Sequence, residues 1–304
     1  MSQGANSNTF NSSSSSKASS SIPSILIVSK ETRFEYLQKN NQLDNLDKKK
    51  FDNIHDDHQR HCAVYDLLIQ NLQKNLLTYD SIKDKNINDT NFELYQLIIT
   101  LGGDGTFINS SAKIRNQKII GINSEPRKSI GELARFVPTD IPNLISKIAI
   151  NSLTVNNWDR LSAKVNGKEL PFWAINEILI SKPNIYQTSK LHIKVGEDSG
   201  FCYGNGIIIS TQRGSTAFYQ SAAGQPFCDS VFGSFGYTLI LPFQIKGKIA
   251  KTAILEPNQQ IEISPKRSGH SLIFDCDEKR IFKLSDEDEV EIYRNNNNIL
   301  RVVV

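Results

Sequence analysis

A glycine-rich segment with a single acidic residue is the first candidate for a binding or catalytic site. Its sequence is Gly102-Gly103-Asp104-Gly105-Thr106. It follows the apolar run Leu97-Ile98-Ile99-Thr100-Leu101, whose β-branched residues predict a buried strand. In parallel sheets, ligands bind just beyond the carboxyl ends of the strands. Glycines there let the backbone approach a ligand closely, and N–H groups at the start of a following helix favour an anion. The segment therefore predicts a phosphate-binding turn.

Asp104 is the unusual residue of this turn, because a phosphate repels a carboxylate. The carboxylate has a use there if it binds a metal ion or takes the proton of an attacking hydroxyl group. No Walker lysine follows the glycines, so the turn is not a P-loop. A purely structural alternative is a tight turn in which Asp104 and Thr106 cap the next helix. The preceding strand, the density of glycine and the single acid together favour the catalytic interpretation.

Two later segments place polar residues within apolar surroundings. Asn176 and Glu177 lie in a strand-like run that ends near Pro183. Adjacent strand residues point to opposite faces, so the two cannot both be plain core residues, although one could satisfy a loop backbone. The other segment is a buried strand followed by a loop with the hydroxyl groups of Ser210, Thr211, Ser215 and Thr216. A helix N-cap accounts for only one of these hydroxyls, so the loop predicts a ligand contact.

The elements around the glycine-rich turn predict an α/β domain with a parallel sheet at residues 24–150. Strands are expected at 25–28, 97–101 and 119–122, and helices at 58–77, 107–114 and 141–150. Strands that alternate with helices are typical of a parallel sheet covered by helices.

The second half of the chain has a different pattern. Short runs with period-two alternation are separated by turn residues such as Asn166-Gly167 and Gly196. We therefore expect a mostly antiparallel, all-β domain at residues 151–304. Residues 295–298 predict a hairpin loop between the last two strands, although the final strands could instead pack back on the first domain.

Composition argues against several classes of function. The formal net charge of +3 is too small to indicate a nucleic-acid partner, and no apolar stretch approaches the roughly 20 residues of a membrane span. The 4 cysteines are far apart and fit no metal-ligand spacing, so we expect reduced thiols and no zinc site. Residues 1–23 are rich in serine and asparagine and predict a disordered tail. Because this tail lacks arginine, we expect a cytoplasmic protein, with the mitochondrion as the alternative.

The order and spacing of the three polar segments resemble the NAD kinase family. In that family, Gly-Gly-Asp-Gly-Thr is followed by an Asn-Glu pair and by a glycine-flanked Ser-Thr loop. The first motif alone is also similar to loops of diacylglycerol kinases, sphingosine kinases and phosphofructokinases. Similarity to the divergent branch of mitochondrial NAD kinases and plant NADH kinases extends to other parts of the chain, namely residues 28–33, His58, His61, 123–127 and 274–277. The resemblance covers about residue 24 to the end.

The resemblance implies a fold like that of the NAD and diacylglycerol kinases, in which residues 151–304 form the dinucleotide-binding domain. It also implies a reaction. ATP, carried with Mg²⁺, would phosphorylate the adenosine-ribose 2′-hydroxyl of NAD or NADH, which share that ribose. Asp104 would take the proton of the hydroxyl group while its oxygen attacks the γ-phosphorus. The implied partners are these small molecules and a second copy of the chain, with no nucleic acid and no membrane.

The resemblance also assigns roles to the other matched positions. The phosphates would be held by backbone and hydroxyl donors of Gly102, Gly103, Gly105 and Thr106. Asn176 and Glu177 would contact the adenosine portion of the nucleotide. The nicotinamide-nucleotide site would be lined by Ser210, Thr211, Ser215, Thr216 and Ala217, with Asn123 at its border. Arg160 and Asp275 also match family positions, and an ordinary ion pair explains an arginine at a strand start equally well.

Two positions depart from the family pattern, and two other functions stay open. Asn205 stands where many members carry aspartate, and Phe218 where tyrosine is common. An amide cannot accept two charge-assisted hydrogen bonds as a carboxylate can, so the substrate contacts there are in question. The alternative functions are a lipid kinase of the diacylglycerol or sphingosine type and a regulator that binds a dinucleotide without catalysis.

Overall fold

The computed structural model describes residues 23–184, 186–228 and 230–304 of the chain. The tail predicted at residues 1–23 lies outside this part of the chain, except for Pro23. Among the helices of the described residues, none combines the length and the apolar character that a membrane crossing requires.

The first sheet is built almost entirely of parallel strands. It contains β1 (Ile25–Ser29), β2 (Tyr79–Lys83), β3 (Leu97–Gly102), β4 (Lys118–Asn123), β5 (Val155–Trp158) and the last strand of the chain, β19 (Leu300–Val303). The strand order is β2-β1-β3-β4-β19-β5, and within it only the β19–β5 pair is antiparallel. Ser29 pairs with Leu101 and Gly102 pairs with Asn123, so β1, β3 and β4 end at the same edge.

Helices cover both faces of this sheet: α1 (Arg33–Lys39), α2 (Lys48–Lys74), α3 (Asp104–Ser111) and α4 (Ile141–Ala149). A capping box between Thr32 and Glu35 starts α1. The apolar stripes of α2 and α4 pack on one face, and α3 packs on the other. The helix predicted at 58–77 begins ten residues earlier, at Lys48, because its first turns are largely exposed and have no apolar periodicity.

The second half of the chain forms two packed antiparallel sheets. One contains β6 (Leu161–Val165), β7 (Lys168–Glu169), β9 (Ser189–Val195), β10 (Asp198–Gly204), β13 (Gln244–Gly247), β15 (Gln260–Pro265) and β18 (Val290–Arg294). The other contains β8 (Glu177–Ser181), β11 (Gly206–Thr211), β12 (Phe235–Ile240), β14 (Thr252–Leu255), β16 (His270–Phe274) and β17 (Ile281–Leu284). A large apolar core lies between them, and the short helix α5 (Phe218–Ser221) follows β11. The predicted fold, a parallel α/β domain followed by a mostly antiparallel β domain, is confirmed.

Two local predictions were wrong or incomplete. The last two strands do not form a hairpin, because β18 pairs with β6 and β15, whereas β19 crosses to the first sheet beside β4. The stated alternative, that the final strands pack back on the first domain, is therefore correct for β19. A run of turn residues indicates a change of direction but does not identify the partner of the next strand. The edge strand β2 was missed because Tyr79–Lys83 contains polar, partly exposed residues rather than an apolar run.

Candidate active site

The glycine-rich turn connects β3 to α3 at the carboxyl edge of the first sheet. Gly103 is the N-cap of α3 and makes no side-chain capping bond, so the alternative in which Asp104 and Thr106 cap the helix is wrong. A Cβ atom added at Gly102 would lie 2.5 Å from Thr106 Oγ1, so packing within the protein requires this glycine. A Cβ atom added at Gly105 would meet no atom within 4 Å. Open space over Gly105 therefore leaves room for a ligand above the start of the helix.

Asp104 is half-buried, and its carboxylate is held by backbone N–H groups of the segment that follows β4. Oδ1 accepts hydrogen bonds from Leu133 N at 2.9 Å and Ala134 N at 2.8 Å, and Oδ2 accepts one from Glu132 N at 3.1 Å. These bonds fix the orientation of the side chain. Each carboxylate oxygen can accept about two hydrogen bonds, so Oδ2 keeps capacity for a hydroxyl group.

Asn123 lies beside this turn, but its side chain is used by the neighbouring loop. It is buried at the end of β4, where Nδ2 donates to Ser129 O at 3.1 Å and Oδ1 accepts from Glu125 N at 3.0 Å. Gly131 closes the same loop with a φ of +69°, and a Cβ atom there would lie 2.6 Å from Asn123 Nδ2. Asn123 therefore stabilises the loop at the border of the site through hydrogen bonds inside the protein.

Asp275 and Arg280 hold the backbone that leads into β8. The Asp275 carboxylate accepts hydrogen bonds from the N–H groups of Ile175, Asn176 and Glu177 at 3.2, 2.8 and 3.2 Å. It also accepts one from Arg280 Nη1 at 3.1 Å, and both side chains are almost fully buried. The match at Asp275 is therefore explained by this structural role, which positions half-buried Asn176 at the surface of the sheet.

Glu177 lies beneath Asn176 and is only 3% exposed. Its Oε1 accepts a hydrogen bond from Cys276 Sγ at 3.4 Å, while Oε2 is buried without a partner in the described part of the chain. Burial, and then the negative charge of Asp275, raise the pKa of Glu177 to about 7, against the Cys276 bond, which lowers it. Of the Asn-Glu pair, Asn176 is therefore partly exposed and Glu177 is buried.

The hydroxyl groups at the end of β11 and in the loop that follows it donate hydrogen bonds to backbone carbonyls of the protein. Ser210 Oγ donates to Asn176 O at 3.1 Å, Thr211 Oγ1 donates to Ile175 O at 2.6 Å, and Ser215 Oγ donates to Gln212 O at 2.7 Å. These three side chains are buried, whereas Thr216 is exposed and Ala217 is half-buried. Of the predicted lining residues in this segment, Thr216 and Ala217 are therefore the more exposed, and Thr211 and Thr216 line the neighbouring cleft.

Gly214 belongs to the same loop and was not selected from the sequence. A Cβ atom added there would lie 2.1 Å from Asn176 O, so any larger residue would push the loop away from the Asn-Glu pair. Its position between Arg213 and Ser215 was the available signal, because glycine inside a polar loop often marks a close backbone approach. Gly214 thus couples the two predicted segments.

A cleft of about 380 Å³ lies between the segment that holds Asp104 and the hydroxyl-rich loop. Its lining includes Glu132, Trp158, Arg213 and Thr216. The Arg213 guanidinium stacks 4.8 Å from the centroid of the Trp158 ring, and neither residue was predicted from the sequence. A larger cavity of about 650 Å³ lies at the opposite edge of the first sheet and is lined by none of the predicted site residues. The smaller cleft is therefore the candidate binding site.

Comparison with known proteins shows a similarity to NAD kinases. Residues 175–303 match the ATP-NAD kinase C-terminal domain. The chain therefore resembles the NAD kinase family. An NAD kinase from Chlorobium limicola is 27% identical over 220 residues, which cover 71% of this chain and 74% of that protein. A probable NADH kinase from Oryza sativa subsp. japonica is 29% identical over 189 residues, which cover 54% of this chain and 58% of that protein.

The fold comparison extends the match to the N-terminal half. The crystal structure of an NAD kinase from Archaeoglobus fulgidus in complex with ATP has a TM-score of 0.64 and 18% sequence identity, and the match covers 92% of this chain and 93% of that one. The parallel sheet is therefore part of the fold that this chain shares with that NAD kinase. The predicted resemblance to NAD kinases and plant NADH kinases is confirmed.

Proposed function

We propose that this protein transfers the γ-phosphoryl group of ATP to the adenosine-ribose 2′-hydroxyl of NAD or NADH. The proposal is supported by the similarity to NAD kinases and NADH kinases and by one observation at the site. A single carboxylate, Asp104, is oriented by backbone N–H groups at the end of a parallel strand and retains an oxygen that can accept a further hydrogen bond.

Asp104 accepts the proton of the ribose hydroxyl group in this mechanism. As the O–H bond weakens, the ribose oxygen forms a bond to the γ-phosphorus, and the bond between that phosphorus and the β,γ-bridging oxygen breaks. ADP leaves with the electron pair of the broken bond. Three N–H groups fix the carboxylate before the substrate arrives. No conformational entropy of this side chain is therefore lost during the reaction.

The start of α3 provides the contacts for the phosphates. The first N–H groups of a helix have no acceptor within the helix, and the space beside Gly105, the second residue of α3, is open. Gly102 and Thr106 shape this turn by packing against each other, and Gly103 leaves its other side open, with Ser129 Oγ 3.5 Å from an added Cβ atom. The turn can therefore surround an oxyanion with backbone donors.

Mg²⁺ would enter on the phosphates of ATP, where it neutralises the charge that develops during transfer. Such sites bind Mg²⁺ through phosphates and one or two carboxylates. Glu125, two residues after β4, has a buried Oε2 atom without a hydrogen-bond partner among the described residues. This oxygen fits the chemistry of a magnesium ligand, and Glu125 would be the residue that holds the ion.

The dinucleotide would bind in the cleft between the two halves of the chain. Half-buried Asn176 would contact its adenosine portion, and exposed Thr216 with Ala217 would contact the nicotinamide nucleotide. Glu177, Ser210, Thr211 and Ser215 would act by holding the shape of the loop. We also propose a homodimer in the cytoplasm, which light scattering and cell fractionation would test.

The deciding experiment incubates purified protein with ATP, Mg²⁺ and either NAD or NADH, and detects the 2′-phosphorylated dinucleotide by mass spectrometry. We expect NADP or NADPH to form with stoichiometric ADP. Dinucleotide binding without any 2′-phosphorylated product would overturn the proposal and leave a non-catalytic regulator. The kinetic comparison of the two dinucleotides then gives the preferred substrate.

A further inference from the structure

Lys30 is the first residue after β1 and lies at the same sheet edge as the glycine-rich turn. Its N–H group donates to Leu101 O at 2.9 Å, which places it directly beside the end of β3. A Cβ atom added at Gly102 would lie 3.2 Å from Lys30 Cβ. The lysine side chain therefore leaves the backbone next to the first glycine of the turn.

The Lys30 ammonium group has no ion pair or hydrogen bond with any other described residue, although acidic residues surround it. Those residues have other partners: Asp57 pairs with Lys128 and Arg60, Asp84 accepts from Glu31 N, and Glu125 Oε1 accepts from Arg60 Nε. Burial lowers the pKa of Lys30, while Glu125, Asp57 and Asp84 act in the opposite direction. A partly buried ammonium group without a partner is unfavourable, and an incoming anion would relieve this cost.

Glu125 is the second polar group at this edge that is left without a full set of partners. Its side chain is 9% exposed, and its Oε2 atom has no partner within the described ranges. An ion pair between Lys30 and Glu125 would satisfy both groups, but no such pair is formed. A triphosphate with a bound cation presents both the anionic oxygens that suit Lys30 and the cation that suits Glu125.

We propose that Lys30 binds an oxygen of the donor's triphosphate and places that triphosphate on the β1 side of the turn. This inference rests on the proposed function. The segment that holds Asp104 lies on the opposite side of β3, next to β4, and borders the cleft assigned to the dinucleotide. In-line transfer needs the attacking and leaving oxygens on opposite sides of the phosphorus, and this arrangement separates donor and acceptor in that way.

The test uses Lys30→Met, which removes the charge and keeps most of the apolar stem, and Lys30→Arg, which keeps the charge. Lys118→Met is the matched control, since Lys118 is also partly buried but starts β4 at the opposite edge of the sheet. For each variant, steady-state kinetics gives kcat and the KM for ATP, fluorescence titration gives the Kd for NADH, and thermal unfolding gives Tm.

Loss of one charge-assisted contact should raise the KM for ATP by about tenfold or more in Lys30→Met. The Kd for NADH should change by less than about twofold, Lys30→Arg should recover much of the ATP affinity, and Lys118→Met should behave as wild type. An unchanged KM for ATP in Lys30→Met would overturn the inference, and so would an equal loss of both ligands with a lowered Tm. If Lys30→Met does not fold, the same criteria apply to Lys30→Gln.

The two proposals fail in different ways. A wild-type protein that forms no 2′-phosphorylated product defeats the proposed function itself. An active wild type with an unaltered ATP response in the Lys30 variants defeats only the role of Lys30.

Discussion

Ala134 donates a 2.8 Å hydrogen bond from its backbone N–H group to Oδ1 of Asp104, across 30 residues of sequence. The bond connects the first turn of α3 to the segment that follows β4 and borders the cleft. Asp104 is thus neither a mobile side chain nor a helix cap. Its carboxylate is preoriented by the fold, with Oδ2 the less occupied of the two oxygens.

Asp104→Asn should lower turnover by about 10²- to 10⁴-fold while largely sparing NAD binding. The amide cannot accept a proton from the ribose hydroxyl group, and loss of general-base catalysis costs about 10²- to 10⁴-fold in rate. Single-turnover kinetics with NADH, together with a binding titration, measures the two effects separately.

The matched control for this variant is Asp140→Asn. Asp140 Oδ2 also accepts a backbone hydrogen bond, from Val137 N at 2.9 Å, but it lies at the start of α4 away from the turn. We expect near wild-type kcat from the control. If Asp104→Asn retains the wild-type rate, Asp104 is not the base.

Gly102→Ala should affect stability, whereas Gly105→Ala should affect ATP binding, although the two glycines lie three residues apart. At Gly102 the new methyl group would lie 2.5 Å from Thr106 Oγ1, so overpacking should lower stability by about 1–3 kcal/mol. At Gly105 the methyl group meets no protein atom within 4 Å, so Tm should hold while the KM for ATP rises. Thermal unfolding and ATP kinetics on both variants provide the comparison. A Gly105→Ala enzyme with normal ATP kinetics would show that the phosphates bind elsewhere.

Glu177 should make the stability of the protein fall as the pH rises from about 4.5 to about 7. Its pKa is 4.5 in an ordinary setting and about 7 in the folded protein. Between these values the folded state binds a proton that the unfolded state has released, so the contribution is complete below pH 4.5 and is lost on the way to pH 7. The span of this effect is roughly 3 kcal/mol.

Urea unfolding of the wild type and of Glu177→Gln at pH 5, 6, 7 and 8 tests this dependence. The glutamine does not titrate, so the free energy of unfolding of the wild type should decrease relative to that of the variant as the pH rises. Parallel stability profiles would show that Glu177 titrates normally.

The sequence was sufficient to predict the two domain types, because apolar runs and period-two alternation report burial directly. It also selected Asp104 and the three polar segments as site candidates, since glycine and isolated polar residues inside apolar runs are strong local signals. It did not reveal that Asp104 is bound by the N–H groups of 132–134, or that Trp158 and Arg213 line one cleft. Those relationships depend on how distant segments pack, as does the return of β19 to the first sheet.

The hydroxyl-rich loop shows that a polar pattern can serve the protein's own structure. Ser210, Thr211 and Ser215 were predicted to contact the ligand, and each donates a hydrogen bond to a backbone carbonyl within 3.1 Å. Composition alone cannot separate a hydroxyl group that binds a ligand from one that closes a turn, because both need the same donor. Thr216→Val is therefore expected to weaken dinucleotide binding with little change in Tm. Ser215→Ala is expected to lower Tm.

Arg280→Met should destabilise the protein strongly although Arg280 lies outside the proposed catalytic contacts. Arg280 is 7% exposed on its side chain, and its loss would leave the buried Asp275 carboxylate with only the backbone N–H groups that precede β8. Breaking a buried pair in this way costs about 3–5 kcal/mol. The exposed pair Lys194–Glu262 gives the control, since Lys194→Met should cost less than about 1 kcal/mol. Urea unfolding measures the loss of stability in both variants. Equal losses would contradict the structural role assigned to Asp275. Asn176 would then be held in place by other contacts.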